Sequence, residues 1–256
     1  MTFVDTHTHC TDEAFPGAEQ DAFVERALAA GVSKMLLADI DTRERQEMYA
    51  AVQRHPGVLY PMIGLYPGSV DGRWKEEIDL LPAYRDRGIV AVGEIGLDYH
   101  EGSEFKEEQK EALRVQLEMA AAWDLPVNIH LRDAWEDLFA ILSEYRHLGL
   151  RGNLHCFTSS YEIYLRARKY GDFSVGIGGV VTFRNASVAE AVRKIPLEHI
   201  LLETDAPYLA PVPHRGHRNE SAYIPLIAAK VAELKGVSLP EIEETTTHNA
   251  QTLFGI

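Results

Sequence analysis

Five short segments hold the residue types that bind metal ions and move protons. They are Asp5-Thr6-His7-Thr8-His9, the Gly93-Glu94-Ile95-Gly96-Leu97-Asp98 stretch, His130-Leu131-Arg132, His155 with Cys156, and Glu203-Thr204-Asp205. Side chains two apart on a strand point the same way. His7 and His9 can therefore grip one ion together, and Glu203 with Asp205, and His130 with Arg132, share sides by the same logic. Four histidines and two carboxylates suffice for two divalent ions, with one carboxylate bridging. Imidazole plus carboxylate suits zinc, manganese, cobalt or nickel, and magnesium only where water completes the shell. Burying such groups without an ion would strand polar atoms at a cost of several kcal/mol. The scattered His55, His100, His147, His199 and His248 read instead as hydrogen-bonded or surface residues.

Eight short apolar runs must position these groups: Thr2-Phe3-Val4, then 34–40, 58–64, 89–94, 126–130, 152–155, 173–177 and 200–203. Helical patterns separate them. Leu113, Leu117, Ala120 and Ala121 fall on one helix face. Ser159-x-x-Glu162, Ser187-x-x-Glu190 and Ser238-x-x-Glu241 have capping-box form. Eight strand–helix units in 256 residues predict a parallel (β/α)8 TIM barrel. An open doubly wound sheet is the alternative, but neither G-x-G-x-x-G nor a Walker A sequence occurs. The segment 221–254 adds one helix beyond a minimal barrel, predicted to cover its outside or bottom. No Pro- or Ser-rich linker interrupts the chain, which predicts a single domain over 1–256. In a barrel the polar strand ends converge on one mouth, where active sites are built.

Lys and Arg number 25 against 39 Asp and Glu, a formal charge of −14. That disfavours broad binding to duplex DNA or to anionic membranes. No apolar run is long enough to span a bilayer, and the start of the chain lacks a signal-peptide layout. The only cysteines, Cys10 and Cys156, are expected to be reduced, buried and turned away from the ions, in a cytoplasmic protein.

These segments, with Gly93–Tyr99, Leu125–Arg132, His155-Cys156-Phe157, Leu202–Leu209, Arg218-Asn219-Glu220, Thr246-x-x-Asn249 and Leu253-Phe254-Gly255, resemble the TatD-like metal-dependent deoxyribonucleases of the amidohydrolase superfamily. The resemblance runs almost end to end. It implies a binuclear site in which His7, His9, Glu94 and Asp205 hold one ion and Glu94, His130 and His155 the other, Glu94 bridging. It implies hydrolysis of phosphodiesters in DNA, and in some members RNA, often from the 3′ end. Two departures stand out. The family's Gly-x-His-Pro reads Gly64-Leu65-Tyr66-Pro67, placing a tyrosine where a substrate-facing histidine is expected. Its Asn-Glu-Pro reads Asn219-Glu220-Ser221, a change expected to alter only a loop.

A water or hydroxide held by the two ions is the expected nucleophile. Asp205 is the candidate proton acceptor, and Glu203 the carboxylate that orients a ligand. Tyr66, Arg132, Arg215 and Arg218 are candidate substrate contacts, the two last from the basic segment after strand eight. The two ions, Glu94, Asp205 and a hydroxide sum to a site charge of roughly +1. A short phosphate-bearing strand would be held there while the acidic exterior repels long duplexes. DNA ends or short oligonucleotides are thus the expected partners, for a monomer with no membrane and no obligate protein partner. Two other readings remain. One is a superfamily hydrolase of amides, lactones or esters, although Glu94 stands where many of those carry a carboxylated lysine. The other is a non-catalytic metal-binding barrel.

Overall fold

The computed structural model describes residues 2–100 and 103–256. Eight strands pair in sequence order, all parallel: β1 (Phe3–Thr8), β2 (Val32–Leu37), β3 (Leu59–Ile63), β4 (Ala91–Asp98), β5 (Val127–Arg132), β6 (Arg151–Leu154), β7 (Asp172–Ile177) and β8 (Ile200–Leu202). The ring closes just past β8. There the Asp205 N–H donates to His7 O at 2.9 Å and the His9 N–H to Ala206 O at 2.8 Å. Helices follow the strands in turn: α1 (Ala18–Ala29), α2 (Thr42–Arg54), α3 (Trp74–Leu80), α4 (Lys106–Trp123), α5 (Trp135–Glu144), α6 (Tyr161–Ala167), α7 (Val188–Lys194) and α8 (Ile224–Lys235), then the additional α9 (Leu239–Phe254). This is the predicted (β/α)8 barrel with an extra C-terminal helix. Among the described residues no helix is long and apolar enough to cross a membrane.

Alternation along the strands divides the interior into layers. Outward residues such as Val127, Ile129, Phe173, Val175, Ile200 and Leu202 pack with the helices, where α4 contributes Leu113, Leu117 and Ala120. Inward residues at the barrel bottom are apolar: Val4, Leu36, Met62, Ala91 and Leu201. Helix α9 seals this end, adding Ala250 and Phe254 to the same cluster. It is tied down by Asn249, whose amide donates to Leu197 O and Ile200 O, both at 2.9 Å. Above lie buried Asn128, Asn153 and Glu203, and then the histidines of the mouth.

The expected capping boxes fare differently. Ser238 caps α9 by accepting from the Glu241 N–H at 3.3 Å. Helix α6 is capped one residue later than expected, by Ser160, which accepts from Ile163. Ser187 makes no cap bond, because its backbone is already helical where a cap is extended.

Phe254 is 5% exposed beneath the strands. Phe254→Ala should destabilise the protein by about 3–4 kcal/mol through lost burial and a residual cavity, read as a lowered urea midpoint at unchanged slope.

Candidate metal centre

Glu94 organises the mouth. Its Oε1 lies 2.7 Å from His130 Nδ1 and 2.9 Å from His155 Nε2. Its Oε2 lies 3.4 Å from His7 Nε2 and 3.6 Å from His9 Nε2. Asp205 Oδ1 approaches the same two rings, at 3.6 Å from His7 and 3.5 Å from His9. The rings also crowd each other. His7 Nε2 is 3.1 Å from His9 Nε2, His130 Nδ1 is 3.1 Å from His155 Nε2, and His7 stacks on His155 with centroids 3.8 Å apart. All six residues predicted as ligands from the sequence thus meet in one cluster, in the overlapping groups His7–His9–Glu94, His7–His155–Asp205 and Glu94–His130–His155. The five scattered histidines lie outside these groups; His55, for example, pairs with Asp21 at 2.8 Å.

The neighbours fix which nitrogens carry lone pairs. His130 Nε2 sits 2.9 Å from Asp98 Oδ2, so in the neutral ring that nitrogen donates and Nδ1 presents its lone pair to Glu94. His7 Nδ1 sits 2.8 Å from Asn128 Oδ1, which turns Nε2 toward the cluster in the same way. Electron pairs of these two imidazoles and of Glu94 therefore face each other at 2.7 and 3.4 Å, an arrangement that only a cation or a shared proton makes favourable. Ligand atoms about 2.0–2.1 Å from a tetrahedral ion stand roughly 3.3–3.4 Å apart. The spacings among His7, His9, Glu94 Oε2 and Asp205 Oδ1 bracket that value, so these residues fit a metal ion.

Electrostatics carry the same signature. Burial pushes the Glu94 carboxyl up, but the charges of His155 and His7 and the bonds from His130 and His155 hold it well below its usual range. Burial likewise raises Asp205, and His9, His155 and His7 outweigh it. Burial works against charge on the histidines, yet the facing carboxylates raise His9 (Asp205, Glu94) and His130 (Asp98, Glu94). Glu94 and Glu203 raise His155 well above the ordinary value.

Local backbone explains the convergence. Ala91 lies in the bottom interior layer and Glu94 faces the mouth, three residues on, where strict alternation would point Glu94 outward. The β4–β5 register shifts between Val92 and Ile95, turning Glu94 inward. The same odd spacing separates Val4 from His7, and the β1–β2 register shifts between Asp5 and Thr8. Gly96, at φ 149°, brings β4 so close to β5 that a Cβ there would lie 1.9 Å from His130 O.

The remaining predicted residues are placed as follows. Glu203 is fully buried behind His155, its Oε1 3.7 Å from Nδ1; it accepts from the Cys156 N–H and, at 3.1 Å, from Asn153 Nδ2. Gly176 makes room for it, since a Cβ there would overlap the carboxylate. Glu203 therefore positions His155 from behind and does not face the mouth. Tyr66 and Arg132 do line the mouth, a cavity of about 570 Å³ shared with His9, Glu94, His130, His155 and Asp205. The Tyr66 ring meets His130 edge-on at 5.0 Å. The two other arginines are elsewhere. Arg215 packs over Phe183 at 4.4 Å beside a neighbouring depression. Arg218 is held by Ala14 O (2.8 Å), Glu19 (2.7 Å) and Glu220 (3.1 Å), so ion pairing takes up its guanidinium.

Two further expectations are corrected. Both cysteines are free thiols, and Cys10 is buried, but Cys156 is half-buried and lines the mouth. Alternation fails there because β6 ends at Leu154 and Cys156 turns left-handed, at φ 48°. Ser221 does more than shape a loop. Its hydroxyl donates to Asp5 Oδ2 at 2.6 Å, a bond that proline could not make. Asp5 also accepts from Thr204 N–H at 3.0 Å and His7 N–H at 3.3 Å, joining β1 to the Asp205 segment. Asp98, Asn128 and Asp5 were missed as supports. The signal was available for Asn128 and Asp5, each two residues before a histidine of its own strand, whereas Asp98 meets His130 only through the β4–β5 register.

The profile of TatD related DNase matches residues 4–255. The chain belongs to the TatD-related DNase family. It is 38% identical to a metal-dependent hydrolase of Bacillus subtilis over 98% of both chains. It is 35% identical to the 3′-5′ ssDNA/RNA exonuclease TatD of Citrobacter koseri, over 93% of this chain and 94% of that one. The crystal structure of a TatD homologue from Escherichia coli K12 superposes with a TM-score of 0.91 at 30% identity, covering 99% of this chain and 98% of that one. This TatD-family protein is a metal-dependent hydrolase.

Asp98→Asn should weaken metal binding about 10–100-fold by loosening His130, measured by competition with a chelator. The raised His9, His130 and His155 stabilise chelated protein at pH below their unfolded values, and that contribution fades as pH rises through their folded values. Metal requires the neutral rings, so its affinity should instead fall on acidification. Binding at neutral pH should release protons, detectable as acidification of weakly buffered solution.

Proposed function

We propose that this protein is a 3′→5′ exonuclease of single-stranded DNA ends or short oligonucleotides, working with two divalent ions. The observation that carries this reading is the division of Glu94, with Oε1 toward His130 and His155 and Oε2 toward His7 and His9. One carboxylate serving two histidine pairs would suit a binuclear site, whose ions would supply the charge that phosphodiester hydrolysis needs. His7, His9, Glu94 and Asp205 would hold one ion, and Glu94, His130 and His155 the other. Zinc, manganese, cobalt and nickel suit these donors, with magnesium needing more water. When bound, the ions lower the pKa of water and polarise the phosphate.

The protein's own groups do the rest. Asp205 keeps its carboxylate ionised at the mouth and accepts the proton of the attacking water. Asp98, Asn128 and Glu203 hold His130, His7 and His155 in register. Arg132 meets a phosphate oxygen from the β5 side, and Tyr66 offers a hydroxyl to another. Its phenol cannot match the charge that an imidazolium would bring. The polarity and the preference for single strands are supported by the exonuclease relative and by the −14 charge, which opposes long duplexes. We take the protein to act as a monomeric single domain in the cytoplasm.

Metal-loaded protein should shorten a 5′-labelled single strand from its 3′ end, and a chelator should abolish this. Asp205→Asn should lower kcat by 100-fold or more, about the loss typical of removing a general base. Cleavage of a lactone panel but of no oligonucleotide would overturn the reading.

A further inference from the structure

The Leu202–Leu209 motif supplies Glu203 and Asp205, yet its last two residues have no role in the chemistry above. Among the described residues seven large hydrophobic side chains are exposed, and four sit singly on separate outer helices: Leu28, Leu80, Val115 and Leu165. The other three, Tyr208, Leu209 and Val212, follow one another on the segment after β8, at 52%, 42% and 47% exposure. Tyr208 and Leu209 line the same mouth cavity as the metal cluster. The Tyr208 ring stands edge-on to His9 with centroids 6.3 Å apart.

This segment is held firmly. The Tyr208 N–H donates to Asp205 O at 2.8 Å. Buried Asn219 donates from its amide to Tyr208 O at 2.6 Å and to Thr204 O at 2.7 Å. The Tyr208 hydroxyl donates to Asp12 at 2.9 Å, which fixes the ring plane. Gly179 lets the chain pass so close that a Cβ there would lie 2.2 Å from Leu209 O. Leu209 itself is left-handed, at φ 55°, a conformation that an L residue adopts only where its surroundings impose it. Apolar surface that is rigidly presented to water beside a reactive centre is a binding feature.

We propose that Tyr208 and Leu209 form a stacking ledge for the nucleobase adjoining the phosphodiester that is cut. This inference rests on the nuclease reading above. The ledge lies on the β8 side of the cluster, while Arg132 and Tyr66 come from the β5 and β3 sides. A nucleotide spanning the mouth would set its phosphate between them and its base on the ledge. Every base offers a π-face, so the ledge binds strands without reading sequence. A base inside a duplex has both faces covered by its stacked neighbours, so the ledge favours single strands.

The test uses two matched single-stranded oligonucleotides, one intact and one abasic at its last two 3′ positions, with the metal-loaded full chain. Wild type should cleave the intact strand with a kcat/KM about tenfold higher, in line with stacking of one base. Tyr208→Ala should bring that ratio close to one, and Tyr208→Phe, which keeps the ring and loses the Asp12 bond, should preserve it. Metal content checks that each variant is folded. Should Tyr208→Ala lose metal, Leu209→Ala decides, with an expected two- to threefold drop in the ratio. The ledge is overturned if wild type does not distinguish the two strands, if the alanine variant keeps the full ratio, or if the phenylalanine variant loses it as completely as alanine. Wild type that cuts neither strand overturns the nuclease reading and this inference with it, a result distinct from cleavage without base dependence.

Discussion

The mouth of this barrel is governed by the electrostatics of electron pairs forced together. Glu94 is buried, shares its two oxygens between two histidine pairs, and has Asp205 across from it. Such a cluster is unfavourable unless positive charge sits among the donors. The facing carboxylates answer this by raising the proton affinity of His9, His130 and His155, and a bound metal ion would answer it in the protons' place. Fold stability at this end of the barrel and catalytic competence thus depend on the same charge balance.

The supporting layer exists to keep those electron pairs aimed. Asp98 and Asn128 choose the ring nitrogens of His130 and His7, and Glu203 stands behind His155. Asp5 gathers Thr204, Ser221 and the His7 backbone, coupling the first strand to the last. Small residues make this possible: Gly96 permits the tight β4–β5 approach, and Gly176 leaves space for the Glu203 carboxylate. The apolar bottom layer from β1–β4 and β8, sealed by α9, anchors the other end of those strands.

Around this centre the rim is unequal. The β3 and β5 sides bring a phenol and a guanidinium, and the β8 side brings an apolar ledge. Arg218, by contrast, is consumed in fastening the segment that carries the ledge, through Glu220, Glu19 and Ala14. A basic residue near a site can thus serve its geometry without touching what binds there.

The order of eight strands and their helices was legible in the sequence because burial imposes a periodicity on each element separately. The six clustered residues were legible because they are histidines and carboxylates at strand ends, which a parallel barrel brings to one face. Alternation within a strand also made the shared direction of His130 and Arg132 legible. What lay beyond it were the places where alternation breaks. Register shifts in β1 and β4 turn His7 and Glu94 inward, and the left-handed turns at Cys156 and Asp205 redirect the chain past β6 and β8. The fates of Arg215, Arg218 and Ser221 were equally hidden. A charged or hydroxylated side chain takes the partner that folding sets nearest, and those partners, Phe183, Glu19 and Asp5, lie tens to hundreds of residues away in sequence.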